Sequence, residues 1–178
     1  RGFILPKFFL ENCGAYLAAI RSIGRTEEYF YMPVFESAAM IPPQTRREAL
    51  TEVRAQLDTV SGSILNIRVG GNDLSHAFGL RRPANRTIYD LRPVADILID
   101  IVAAFGTQYV VSGPVWEYYS GEGWEEGLRR EMELDLLNGF TGKTVIHPNQ
   151  IPVVNEMLRV SQRDYADARA ILNWDTGS

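Results

Sequence analysis

The chain has 178 residues, of which 46% are hydrophobic and 22% charged, and its formal net charge is −4. That length suits one domain with a sizeable core, while the acidic balance excludes a nucleic-acid binder that relies on a broad basic face. The lone cysteine, Cys13, excludes an internal disulfide and any paired-cysteine zinc site, and no apolar run approaches the roughly 20 residues a membrane span needs. A reducing, cytoplasmic setting is expected. No leader is visible, and Arg1 stands directly before a strand-like run, so the opening reads as a cut chain.

Five short apolar or β-branched runs predict strands at Phe3–Pro6, Tyr29–Phe35, Ile64–Val69, Gln108–Ser112 and Lys143–Ile146. Helical periodicity fills the gaps between them. Glu11–Ile23 puts Tyr16, Leu17, Ile20 and Ile23 on one face, and Pro43–Val60 opens on helix-start prolines with Ala49, Leu50, Val53 and Leu57 as its stripe. Val94–Phe105 is apolar on one side and meets Gly106 as a C-cap. Trp124–Leu137 offers Leu128, Met132 and Leu136, and Ile151–Leu172 reads as one long terminal helix opening on Pro152. Strictly alternating strands and helices argue for a parallel sheet with crossover helices. Two architectures satisfy that order: a complete five-stranded doubly wound sheet, or five units of an eight-stranded barrel whose usual size is about 250 residues.

The polar residues gather where strands end, the place where both architectures keep their chemistry. Glu36 closes the run Tyr31–Phe35, where an unpaired buried carboxylate is costly; alternatively it is an exposed acid favouring the next helix's N-terminus. Gly70–Gly71–Asn72–Asp73 follows the third run, with glycines that allow close backbone approach and amides free for an anion. Neighbouring strands lie about 4.8 Å apart, so Glu36 and Asp73 can reach one hard cation, and two carboxylates with waters and a substrate oxygen make a magnesium shell. The competing role for Asp73 is as N-cap of a Leu74–Phe78 turn. Lys7 is placed to orient an anionic substrate or to pair with Glu36, or is simply solvated. His147, before Pro148, is a hydrogen-bonded corner residue or faces a ligand. Trp116, Tyr118, Tyr119 and Trp124 form either a loop over the strand ends or packing on the next helix. Gly142–Lys143–Thr144 imitates the end of a phosphate-binding loop, but the required earlier glycine is Leu137 and the motif precedes a strand, so nucleotide binding by that route is rejected.

Leu5–Pro6–Lys7, Met32–Pro33–Val34–Phe35–Glu36–Ser37, Gly70–Gly71–Asn72–Asp73–Leu74 and the run Gly139–Ile151 occur in the order seen in citrate lyase β-subunit-like proteins. These belong to the HpcH/HpaI aldolase and malyl-CoA lyase group, which the sequence resembles over nearly its whole length. Ser112–Tyr119 and Arg81–Arg82–Pro83 look most like the C–C bond lyase branch associated with tellurite-resistance gene clusters. The resemblance implies a TIM (β/α)8-type barrel, with residues 1–178 as the C-terminal portion of one lyase-like domain and covering roughly its last five units. Glu36 and Asp73 would be catalytic, holding Mg2+ at the ends of the fifth and sixth strands. Lys7, Gly71, Asn72, Trp116 and His147 would bind substrate. The first three strands, with the family's substrate-gripping arginine, would lie outside this sequence. The implied activity is cleavage of a carbon–carbon bond in a small 2-oxo acid or acyl-CoA thioester by a homo-oligomer. The alternative is a non-catalytic, ligand-binding component of a stress-response assembly.

Overall fold

A computed structural model describes residues 1–23 and 29–174. Its strands are β1 (Gly2–Leu5), β2 (Phe30–Phe35), β3 (Ile67–Val69), β4 (Val111–Gly113) and β5 (Gly142–Lys143). The helices are α1 (Leu10–Ser22), α2 (Pro43–Asp58), α3 (Gly71–Ala77), α4 (Arg92–Phe105), α5 (Trp124–Leu137), α6 (Gln150–Met157) and α7 (Gln162–Leu172). All five strands are parallel and lie side by side in sequence order. A doubly wound sheet reverses its order at a switch point. Here no reversal occurs and β1 stays at an edge, so the doubly wound alternative is excluded and the sheet is an arc of a (β/α) barrel.

Strand register sorts the side chains onto two faces. Phe3 pairs with Tyr31 and Leu5 with Pro33, Val34 with Arg68, and Arg68 with Ser112. Leu5, Tyr31, Phe35, Ile67, Val69 and Val111 therefore point at the helices and are buried, whereas Ile4, Met32, Val34, Arg68 and Ser112 face the inside of the arc. Helix α4 supplies the strongest apolar face: Val94, Ile97, Leu98, Ile101 and Phe105 are all fully buried, each contributing on the order of 1.5–3 kcal/mol. With α1 and α2 beside it they form the main core. A smaller cluster of Trp116, Leu128, Met132, Val153 and Val154 lies between α5 and α6.

Three expectations change. The predicted terminal helix Ile151–Leu172 is two helices, because Ser161 caps a new start: its Oγ accepts the Asp164 N–H at 3.0 Å. The glycines before Leu74 belong to a helix beginning at Gly71, with Gly70 as N-cap, so Asp73 is its third residue and not a cap. In α5 the inward face is Leu128, Glu131, Met132 and Asp135, and Leu136 is 41% exposed. The acids turn inward because two cations wait for them.

Candidate active site

The ends of β2, β3, β4 and β5 open onto a cleft of ≈ 270 Å³ lined by Val34, Glu36, Arg68, Val69, Gly70, Asn72, Asp73, Val115 and Thr144, with the end of β1 beside its mouth. At the end of β1 the chain turns sharply, with Lys7 at φ 50°, a backbone region non-glycine residues seldom occupy. Asn12 holds that turn by donating its Nδ2 to the Lys7 carbonyl at 2.7 Å. In consequence the Lys7 N–H donates to Glu36 Oε1 at 3.1 Å and its ammonium to Asp73 Oδ1 at 3.0 Å. Lys7 thus pairs with Asp73 through its side chain and with Glu36 through its backbone. The hydrogen bond with Asp73 raises the Lys7 pKa. Gly70 lets Glu36 lean across the strand end: a Cβ there would overlap Glu36 Oε2 and stand 2.5 Å from Glu36 Cβ.

Two carboxylates on neighbouring strand ends, one already paired with an ammonium and the other with a backbone N–H, fit a hard divalent cation that prefers oxygen ligands. Among the described residues no third acid, histidine or cysteine joins them in a metal-binding group. The remaining positions of a magnesium shell would belong to water and ligand.

Behind β4 and β5 lies a dry ionic cluster that the sequence did not announce. The Lys143 side chain, fully buried, donates to Glu131 at 2.8 Å and Asp135 at 2.7 Å. Arg82 donates to Glu131 at 2.6 Å and to the Val115 carbonyl at 2.8 Å. The Tyr89 hydroxyl donates to Asp135 at 2.7 Å. Burial, foremost, pushes the Asp135 carboxyl above the usual carboxylate range, and burial with the neighbouring Asp135 charge pushes the Tyr89 phenol up. The Lys143 of the rejected phosphate-loop look-alike is therefore an internal counter-ion.

Of the residues expected to touch a ligand, Lys7, Glu36, Asn72 and Asp73 come together at the mouth. Gly71 does not line the cleft: a Cβ on it would stand 2.7 Å from Pro114 Cβ, so its lack of a side chain serves packing between α3 and the β4 end. Trp116 does not line the cleft either. It is 1% exposed, its ring lies over Gly127 with Arg82 stacked 4.9 Å from its centroid, and its Nε1 donates to the Trp124 carbonyl at 2.9 Å. The packing alternative holds for it. His147 stacks on Tyr119 at 4.2 Å and accepts the Asn149 N–H through Nδ1, as a corner residue away from the cleft. The buried member of that corner is Gln150, whose Nε2 donates to the carbonyls of Trp116 at 2.8 Å and Tyr118 at 2.9 Å. Arg68 and Thr144 line the cleft without having been singled out. A cation inside the apolar run Ile64–Val69 was the available signal for the first.

A one-way wound parallel sheet with paired carboxylates at the carboxyl ends of its strands defines a barrel-type α/β protein. The chain belongs to the family described as C-C_Bond_Lyase of the TIM-Barrel fold, matched over residues 1–178. A stretch of 74 residues, 40% of this chain and 22% of the relative, is 38% identical to the L-malyl-CoA/beta-methylmalyl-CoA lyase of Cereibacter sphaeroides. The fold is similar to RipC from Yersinia pestis (TM-score 0.68, 17% identity, 92% of this chain and 66% of that one). It is also similar to the citrate lyase beta subunit from M. tuberculosis, solved with oxaloacetate and magnesium (TM-score 0.56, 22% identity, 89% of this chain and 61% of that one). The chain thus spans less than two thirds of the length of these relatives, and the structural likenesses carry the fold alone. Among the described residues no helix is long and apolar enough to cross a membrane.

Proposed function

We propose that residues 1–178 form the C-terminal portion of a magnesium-dependent carbon–carbon bond lyase acting on a small 2-oxo acid or an acyl-CoA thioester. The observation that carries this reading is the meeting of Glu36 and Asp73 at one cleft, both held by Lys7. Family membership supports the reaction class, and the relatives named for malyl-CoA and solved with oxaloacetate and magnesium support the ligand class. When bound, magnesium would supply a Lewis-acid charge for the negative charge that develops on a substrate oxygen as the C–C bond opens. Glu36 and Asp73 would hold it, Glu36 fixed by its fit over Gly70 and Asp73 by its place in the first turn of α3. Lys7 adds a positive charge beside both carboxylates, and the Asn72 side chain contributes polar groups at the rim.

Magnesium titration of the chain, of Glu36→Gln and of Asp73→Asn, paired with cleavage assays on malyl-CoA and oxaloacetate, tests the proposal. The expected result is metal binding by the parent chain that weakens at least tenfold in either variant, with cleavage lost in parallel. Unchanged metal binding and cleavage in Asp73→Asn would overturn it. Metal binding without cleavage of any thioester or oxo acid by the full-length protein that contains these residues would instead identify a ligand-binding component.

A further inference from the structure

The inside of the arc is apolar on β1 and β2, at Ile4, Met32 and Val34, but polar towards β5. Asn66 donates to Ser112 Oγ at 2.8 Å, and the Arg68 Nε donates to Thr144 Oγ1 at 3.3 Å. Barrel interiors are ordinarily filled by bulky branched residues, so a guanidinium on this face needs a reason. The register leaves no doubt about the face: Ile67 and Val69 are buried against the helices, and Arg68 stands opposite them between Val34 and Ser112.

The partners of the other buried cations sharpen the point. Arg46 has Asp100 at 2.7 Å, Arg82 has Glu131 at 2.6 Å, and Lys143 has Glu131 and Asp135. The half-buried Arg54 and Arg129 also reach carboxylates. Among the described residues, Arg68 alone of the buried and half-buried cations has no carboxylate partner. It lines the same cleft as Glu36 and Asp73 yet forms an ion pair with neither. A half-buried charge without a counter-ion is costly. Here the Nε–H is spent on Thr144, whose own N–H is anchored to the Gly113 carbonyl at 3.1 Å, which fixes the guanidinium plane. Its two terminal nitrogens remain for the cleft, and that pair matches the two oxygens of a carboxylate.

We propose that Arg68 is the anion-recognition residue of this cleft, and that it selects 2-oxo acids bearing a second carboxylate. The assignment rests on the magnesium reading for the other end of the ligand. The 2-oxo acid end would lie towards Glu36 and Asp73, and the distal carboxylate would take the terminal nitrogens of Arg68. Charge sorts the cleft in the same way, acidic at the rim beside Lys7 and cationic further inside. A monocarboxylate of equal length would leave Arg68 unpaired.

Calorimetric titration with two matched pairs tests this: oxaloacetate against 2-oxobutanoate, and 2-oxoglutarate against 2-oxopentanoate, each with and without saturating magnesium. In at least one pair the parent chain should hold the diacid more tightly. Arg68→Gln should weaken that diacid by about ten- to hundredfold, the range of a charge-assisted hydrogen bond, and bring it level with the monoacid. Magnesium affinity should stay within about twofold, and Arg68→Lys, which keeps the charge but loses the fork, should fall between. An Arg68→Gln protein that keeps its near-ultraviolet dichroism and binds diacid like the parent overturns the assignment, as does a parent chain that does not distinguish the members of either pair. An Arg68-dependent preference that persists without metal, in a chain that binds no magnesium, would sustain Arg68 while sinking the magnesium reading.

Discussion

Gly70 shows how one missing methylene shapes the mouth. Its φ of −89° is open to any residue, so the requirement is steric: a Cβ would sit inside the Glu36 side chain. Gly70→Ala should therefore leave the fold in place and swing Glu36 off the cleft, weakening magnesium at least tenfold, about 1.4 kcal/mol. Gly14→Ala is the control, because the space around Gly14 is empty and it lies within α1. There the gain of helix propensity should stabilise the protein by about 0.5–1 kcal/mol without touching the metal. Calorimetry with magnesium and urea denaturation read the two effects separately, and a Gly70→Ala protein with parental magnesium affinity would remove Glu36 from the metal shell.

At the scale of elements, β5 and α5 are joined by ionic contacts where an apolar stripe was expected. Lys143 brings its charge from the sheet to Glu131 and Asp135 on one helix face. Removing one partner of a buried pair costs about 3–5 kcal/mol, so Lys143→Met should lower the urea midpoint severely. Its pH dependence has a definite sign. Burial already holds the folded Asp135 carboxyl above its unfolded value, opposed by Lys143. The stability tied to its proton is present below the unfolded pKa and lost as pH rises through the folded one. Without Lys143 the folded pKa climbs further, so the deficit of Lys143→Met against the parent should be largest at neutral pH and shrink on acidification; a deficit flat in pH would separate Asp135 from Lys143. This cluster also marks where the sequence became illegible. The strand ends and the Glu36–Asp73 pair could be read because strands of parallel sheets run as apolar stretches that stop at polar residues. Glu131 and Asp135 could not, since Leu128, Met132 and Leu136 gave an equally good stripe and only Lys143 and Arg82, distant in sequence, decide which face turns inward. Arg68 was visible as a charge but not as an inward one, because a one-residue change of register sends a strand residue to the opposite face. Trp116 packs on Gly127 through a loop whose path no local pattern dictates. The start of α7 was present as Ser161 and Asp164, but the apolar residues Leu158 and Val160 masked it.

Across the whole molecule the polar groups divide the arc in two. Around β4, β5 and α5 the ionic contacts are dry and self-sufficient, and the small core beside them includes Trp116, Leu128 and Met132. Around β1, β2 and β3 the contacts are wet: the Lys7 and Asp73 side chains are 64% and 49% exposed, and an exposed ion pair contributes little stability on its own. On the proposed reading, magnesium would replace the weak contact of the Lys7 ammonium with Asp73 and tie the second and third βα units at their carboxyl ends. A ligand that binds only the folded state stabilises it by about 2.7 kcal/mol at one hundred times its Kd, which for a chain of this size raises Tm by about 5–10 °C. Magnesium should produce that shift in the parent chain, EDTA should reverse it, and at the same magnesium concentration Asp73→Asn should show half of it or less. Lys7 then separates two arrangements of the mouth. If its ammonium merely occupies the cation's place on Asp73, Lys7→Met frees that carboxylate, and the magnesium-induced rise in Tm at a fixed, subsaturating concentration should grow. If Lys7 instead holds the two carboxylates in position for the metal, the same substitution should shrink it. The 3.0 Å contact of the ammonium with Asp73 favours the first outcome, since a cation and an ammonium cannot share one carboxylate oxygen without repulsion.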